Sequence, residues 1–416
     1  VANNLSTDVR YLFATRIARL FAYGFLSVVL ALYLSEAGLN EAQIGFLLTL
    51  TLVGDTAISL WITTHADRIG RRRMLAIGAI LMVFAGILFV LTRNFYLLLL
   101  AATVGVISPS GNEVGPFLSI EQAGLSQLIP GERRTHIFAW YNLVGSFATA
   151  LGALCGGGLA QLLLNAGMTL LKSYRVVIIG YAALGIALLV LFARLSLSVE
   201  AHEPEPRPAT VPQASGRSFL GLGRSRNVVL GLAALFSLDA FAGGFVIQSI
   251  MAYWFHIRYG VEPALLGGIF FGANVLAGIS ALSASWLAGR IGLINTMVFT
   301  HIPSNLLLIL VPLMPNLPLA IGLLLLRFSI SQMDVPTRQS YTMSVVEPAE
   351  RSAAAGVTGT ARTIGASLAP VITGPLLASP VLSGAPFIIA GGLKIIYDLA
   401  LYRSFKKVKP PEETSG

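Results

Sequence analysis

Charge is scarce in this chain. Only 11% of its 416 residues are Asp, Glu, Lys or Arg, whereas a soluble domain carries about 25%. So few charges could not keep one water-facing surface of this size dissolved, and those present cluster between long apolar runs, so the surroundings are lipid. There is a single cysteine, Cys155, which excludes an internal disulfide. Acids are outnumbered by bases, 19 to 28, for a net charge of +9. With apolar runs between them, the bases report on membrane topology and not on nucleic acid. A phosphate-binding G-x-x-x-x-G-K-[ST] loop is missing, which argues against ATP as the energy source. The five histidines (His65, His136, His202, His256, His301) lack metal-ligand spacing. No H-E-x-x-H or G-x-S-x-G supports hydrolysis. Neither a metal nor another cofactor is therefore expected. The opening VANNLSTDVR is short and polar and leads into a run long enough to span, so no cleavable signal peptide is expected.

What is abundant is apolar sequence, 55% of the chain. A membrane-spanning helix needs about 20 mostly apolar residues, and twelve such runs are present. Six lie at 9–34, 43–63, 74–91, 95–125, 136–164 and 173–195. Six more lie at 228–255, 263–288, 294–314, 317–345, 353–378 and 386–405. The fourth and tenth are long and carry Pro109, Gly111, Pro116 and Pro336. Both are expected to kink, because proline removes a helix hydrogen bond and clashes with the preceding turn. Between the sixes, 196–227 is rich in Pro, Ser and charge and reads as a flexible connector. The expected division is a first bundle (1–195), a linker (196–227), a second bundle (228–405) and a tail (406–416). Seventeen Lys and Arg of the loops and termini fall on the side of the N-terminus, against Arg93, Lys172, Arg175 and Arg258 on the other. The positive-inside rule then puts both termini and the linker in the cytoplasm.

The halves repeat. Ala66-Asp67-Arg68-Ile69-Gly70 follows the second run, and Ala288-Gly289-Arg290-Ile291-Gly292 follows the eighth, 222 residues later. Pro116 and Pro336 keep an offset of 220, and Arg133 and Arg351 one of 218. Two parallel six-helix repeats are a transporter arrangement. Through its helix count, central link and duplicated loop, the sequence resembles the major facilitator superfamily. That family's loop motif is G-x-x-x-D-R-x-G-R-R with a later leucine. Asp67, Arg68, Gly70, Arg71, Arg72 and Leu75 match it, and Thr63 stands where its first glycine belongs. The resemblance implies a twelve-helix all-α membrane fold of two pseudo-symmetric bundles and a secondary transporter, not an enzyme. It also implies that the loops latch one conformation. Asp67 is expected against a helix start near Ser352, Arg71 against Glu121, with Arg68, Gly70, Arg72 and Arg290 in the same device. The family's antiport stretch in helix five is matched only by Gly152 to Gly158, without its proline, and small residues that let helices approach are the expected reading.

Ionisable residues inside spanning helices are costly, and they pair or line a cavity. The interior acids are Asp55, Glu113, Glu121, Asp239, Asp334 and Asp398; the bases are Arg16, Arg19, Arg327, Arg338, Arg362 and Lys394. At 1.5 Å per residue, Arg19, Asp55, Asp239, Arg327, Arg362 and Lys394 fall near mid-membrane. In the family, helices 1, 4, 7 and 10 line the cavity. Arg19, Glu113, Asp239, Arg327, Asp334 and Arg338 are the resulting cavity candidates, and Asp55 of the second run joins them for its mid-membrane depth. Asp334 and Arg338 are spaced i,i+4, which suits a pair on one helix face. Glu113 and Asp239 are the first candidates for carrying a coupling proton, with pairing to a base the alternative. Arg362 and Lys394 are expected to pair between helices away from the cavity. Trp140, Tyr141, Tyr253 and Trp254 are expected to anchor helices at the water interface, with an outer gate the alternative for the last two. The resulting expectation is a monomeric, proton-coupled exporter of a small organic solute in a bacterial inner membrane. Its rivals are an importer of an organic anion read by Arg19, Arg327 or Arg338, and a lipid-handling protein or embedded enzyme on the same scaffold.

Overall fold

The computed structural model describes residues 6–113, 115–200, 222–406 and 408. Most of the linker, the tail beyond 408, Arg207, Arg217, Lys407 and Lys409 lie outside these, as does the side chain of Arg133. The first half contains α1 (Thr7–Ser27), α2 (Leu30–Glu36), α3 (Glu41–Ile69), α4 (Arg71–Leu91), α5 (Phe95–Val104), α6 (Phe117–Leu128), α7 (Gly131–Asn165) and α8 (Leu170–Ala193). The second contains α9 (Arg226–Gly244), α10 (Gln248–Tyr259), α11 (Pro263–Ile291), α12 (Leu293–Leu310), α13 (Leu317–Phe328), α14 (Asp334–Ser344), α15 (Arg351–Leu368), α16 (Pro370–Ala378) and α17 (Ala385–Phe405).

Local sequence explains the starts. Asn40 and Gln43 form a reciprocal capping box on α3, with bonds of 2.9 and 3.0 Å. Asn94 and Asn316 accept from the first turns of α5 and α13. Gly70 (φ 113°) is the sole residue between α3 and α4, and Gly292 (φ 86°) the sole residue between α11 and α12. Both need a backbone that side-chain-bearing residues rarely adopt. The repeat seen in the sequence is therefore a repeat of one tight turn.

Eight stretches are long and apolar enough to cross a membrane, counting α9 and α10 as one, and α1 with α2 makes a ninth bent by 43°. Counting α5–α6, α13–α14 and α15–α16 as one interrupted crossing each gives twelve. The fourth and tenth crossings are broken, a stronger departure than the expected kink. In the tenth, Pro336 lies in the first turn of α14, where its missing N–H costs little. The eleventh crossing is also broken, ahead of Pro370, and so are the first (Val28–Val29) and seventh (Phe245–Ile247); the sequence reading treated these three as continuous.

The breaks in crossings one, four and seven meet. Ser249 donates from its backbone N (3.0 Å) and its hydroxyl (2.7 Å) to the carbonyl of Pro109, and the hydroxyl also reaches the carbonyl of Ser27 at 2.8 Å. Gln248 Nε2 donates to the Ser27 hydroxyl at 2.8 Å. Irregular backbone is tolerated at membrane depth only when protein satisfies it, and here the halves satisfy one another. Glycines bring the backbones together around this knot. A Cβ on Gly157 would stand 2.2 Å from the carbonyl oxygen of Pro263, and one on Gly45 would stand 2.3 Å from that of Pro370. This is the small-residue role expected for the Gly152–Gly158 stretch.

Candidate functional site

The close approaches between the halves gather at the end opposite the arginine-rich loops. Tyr253 donates to Glu41 at 3.0 Å, and the backbone N of Val371 donates to Thr49 at 2.9 Å. Tyr253 and Trp254 are 5% and 1% exposed, so they pack inside the protein, Tyr253 at the contact between the halves, and do not anchor in the interface. Tyr141 is also buried, whereas Trp140 is half exposed as an anchor would be.

At the arginine-rich end the motif loop bonds, among the described residues, only to the first half and the start of the linker. Arg71 Nε donates to Asp67 at 2.9 Å, and that carboxylate is 68% exposed. Arg71 also reaches Gln127 at 2.8 Å. Glu200 accepts from the backbone N of Arg71 and Arg72, at 2.5 and 3.3 Å, and so caps α4. Arg68 is exposed, and Arg290 stacks on Trp286, 4.0 Å from its ring. Asp67 is thus engaged by Arg71 and open to water rather than held at a helix start near Ser352. Thr63 bonds the carbonyl of Ser59 on its own helix at 2.7 Å.

The expected Arg71–Glu121 contact is corrected outright. Glu121 is fully buried and belongs to a different network. Arg19 grips it with Nη1 and Nη2, both at 2.7 Å, a bidentate geometry that adds direction as well as strength. Thr15 donates to it at 2.8 Å, and the Tyr141 hydroxyl donates to its other oxygen. Arg19 Nε donates to Glu113 at 2.8 Å, and Arg16 pairs with Glu113 as well. Two arginines of α1 therefore balance two glutamates of the fourth crossing. The alternative foreseen for Glu113, pairing with a base, is what occurs. Asp55, at the middle of α3, has no base within 4.0 Å among the described residues. Ser59 lies 3.5 Å away, and the backbone N–H of Gly115 donates to it.

The second half holds a larger network. Asp239 of α9 accepts from Lys394 at 2.5 Å and from Arg338 and Arg362 at 3.0 Å each. Arg338 also bonds Asp334 at 2.9 Å, the i,i+4 pair read from spacing. His301 Nδ1 is 2.8 Å from Asp398, and Asn305 donates to the same carboxylate at 3.1 Å. Arg362 and Lys394 pair between helices as expected, but they do so on Asp239, and the Arg362 side chain is 33% exposed. Arg327 lies at the end of α13 and is 8% exposed. It has no ion pair and no side-chain hydrogen bond among the described residues, and its Nε is buried without a partner. His301, Asn305 and Asp398 were missed as site residues. The usable signal was spacing, since His301–Asn305 and Lys394–Asp398 are both i,i+4. Among the described residues no group of three or more metal-ligating side chains occurs.

Two charge networks therefore flank a contact zone that is closed at one end. The sequence matches the Major Facilitator Superfamily over residues 12–370. The chain belongs to this family. As a member it is a multi-pass transporter and not an enzyme. It is 33% identical to the uncharacterized membrane protein YJR124C of Saccharomyces cerevisiae, over 95% of this chain and 93% of that one. It is 23% identical to the quinolone resistance protein NorA of Staphylococcus aureus over 60% of each chain. In fold it is similar to a bacterial homologue of the human lysosomal transporter Spinster in an inward-facing, unoccupied conformation. That likeness has a TM-score of 0.73 and 16% identity, and covers 96% of this chain and 97% of the other.

Proposed function

We propose that this superfamily member works as a monomer, exporting a small organic solute by alternating access in exchange for protons. The observation that carries the reading is the asymmetry of contact between the halves. They are knotted together at the outer end through Ser27, Pro109, Gln248 and Ser249, while among the described residues the motif loop at the arginine-rich end engages only the first half and the start of the linker. Rocking the halves about the midplane networks would reverse this arrangement.

Glu113 and Asp239 were the first candidates for the coupling proton. Glu113 is engaged by two arginines and Asp239 by three cations, so the charge of each is already matched inside the protein. Asp55 has no such partner, and it takes first place. It sits mid-helix beside the break in the fourth crossing, where rocking changes its access to water. The likeness to a quinolone resistance protein supports export. Residence in a bacterial inner membrane belongs to the same proposal, and fractionation of source membranes checks it.

The test uses the full chain in liposomes loaded with a pH-sensitive dye, with a panel of anionic, neutral and cationic organic solutes offered on one side. At least one solute is expected to drive proton movement, and an imposed pH gradient is expected to drive that solute uphill. Solute movement that ignores the gradient contradicts the coupling. No movement of any member contradicts the whole reading. Uptake with protons instead of exchange against them establishes import.

A further inference from the structure

The second network does not balance. Asp239, Asp334 and Asp398 supply three negative charges, and Arg338, Arg362 and Lys394 match them. Arg327 is a fourth cation. His301 sits on Asp398 as a hydrogen-bond partner, and protonating it would only enlarge the excess.

The surplus has a definite place. Asp334 and Asp239 are the acids whose fields reach Arg327, yet neither comes within 4.0 Å. Its guanidinium stands near the break between α13 and α14, more than nine-tenths buried, over the Phe328 ring at 4.9 Å and with Nε bonded to nothing. An arginine inside a spanning segment is costly unless it pairs or lines a cavity. Every other interior arginine here has an acid within 3.0 Å, or closer for Arg16. Arg362 lies on the same cluster and is the member with most access to water. Its Nη1 is committed to Asp239, and its side chain is one-third exposed.

Resting on the transport reading above, we infer that Arg327 binds an oxyanion of the transported solute, a carboxylate or phosphate group. A planar guanidinium with free donors suits either oxyanion. One negative charge brings the network to neutrality, so the occupied cluster can cross the rocking motion without a stranded charge. Cationic solutes meet the same surplus as repulsion. Asp55 lies in the other half, so proton and solute are held on opposite walls.

The test reads thermal stabilisation of the purified full chain in detergent at constant ionic strength. The probes are benzoate, succinate, glycerol 3-phosphate, chloride and tetraethylammonium. A ligand of the folded state raises Tm with its concentration. At least one oxyanion is expected to raise Tm, with carboxylates and the phosphate ester told apart by which of them does so, and tetraethylammonium is expected to have no effect. In Arg327→Met the half-saturating concentration should rise about tenfold or more, the loss of a charge-assisted bond, while Tm without ligand holds or rises. Arg327→Lys, which keeps charge and loses the fork, should fall between. The inference fails if no oxyanion shifts Tm, if chloride alone does, or if the shift survives in both variants. Counterflow of the labelled binding probe in liposomes separates the two claims. Binding without exchange contradicts the transport reading, whereas exchange by probes of either charge sign, equally fast, contradicts this one.

Discussion

The two halves carry the same kind of network with opposite wiring. In the first, crossing one supplies the bases, Arg16 and Arg19, and crossing four the acids, Glu113 and Glu121. In the second, crossing seven supplies the acid, Asp239, and crossing ten the base, Arg338. Glu113 and Asp334 lie 221 residues apart, close to the repeat offset. The first network is neutral, and each of its arginines rests on a glutamate, although Arg16 Nε has no partner. The second is open, with one arginine left over and another partly exposed. A duplicated frame has thus kept one wall as structure and left the other with unused binding capacity.

The largest break in this comparison comes from Asp239. Asp239→Asn leaves Arg338, Arg362 and Lys394 under-compensated, and removing one partner of a buried pair costs about 3–5 kcal/mol. Glu113→Gln removes a carboxylate whose side chain is 16% exposed and leaves Arg19 its bidentate partner, so a smaller loss is expected. Denaturation midpoints in detergent check the order, and equal losses would erase the distinction between the halves.

The contact zone gives the next effect. Gly157→Val forces a side chain onto the backbone of α11, and overpacking of this kind costs about 1–3 kcal/mol. Gly158→Val enters open space and should leave Tm unchanged. A matching loss in both would show that the glycine spacing does not hold the outer end shut.

The smallest effect concerns Glu350, outside the spanning segments. Partial desolvation raises its carboxyl, but hydrogen bonds from Ser225, Gly223 and Arg224 outweigh this and hold it below the usual range. A lowered folded-state value means that its contribution is present above the ordinary glutamate range and is lost as pH falls through the folded value. Amide protection factors at residues 223–229, taken relative to the intrinsic rate at each pH, should therefore fall only under acid, and Glu350→Gln should remove that pH dependence.

Much of this was legible in the sequence where the physics is local. The tight turns at Gly70 and Gly292 follow from one repeated pentapeptide, and the Asp334–Arg338 pair follows from helix spacing. Most of the interior charges were legible, because charged residues stand out in apolar runs, although the buried His301 and Asp8 were not among them. Their partners were not legible, because partnership depends on how the helices are arranged. Glu121 looked like an end-of-helix acid and lies instead inside a cage of Arg19, Thr15 and Tyr141. The breaks at Ser27–Val29 and Phe245–Ile247 carry no proline. They are stable because Ser249 of one half satisfies carbonyls of the other, and a single-chain pattern contains no record of such a meeting.

The division of labour between the walls is tested most directly at Asp55. Asp55→Asn is nearly isosteric and removes no ion pair, so folding should survive. With a transported probe, pH-gradient-driven flux and solute-for-solute counterflow are measured on the same liposomes. Loss of the driven flux with counterflow intact is the predicted result. Driven flux that persists at the wild-type rate would contradict the account.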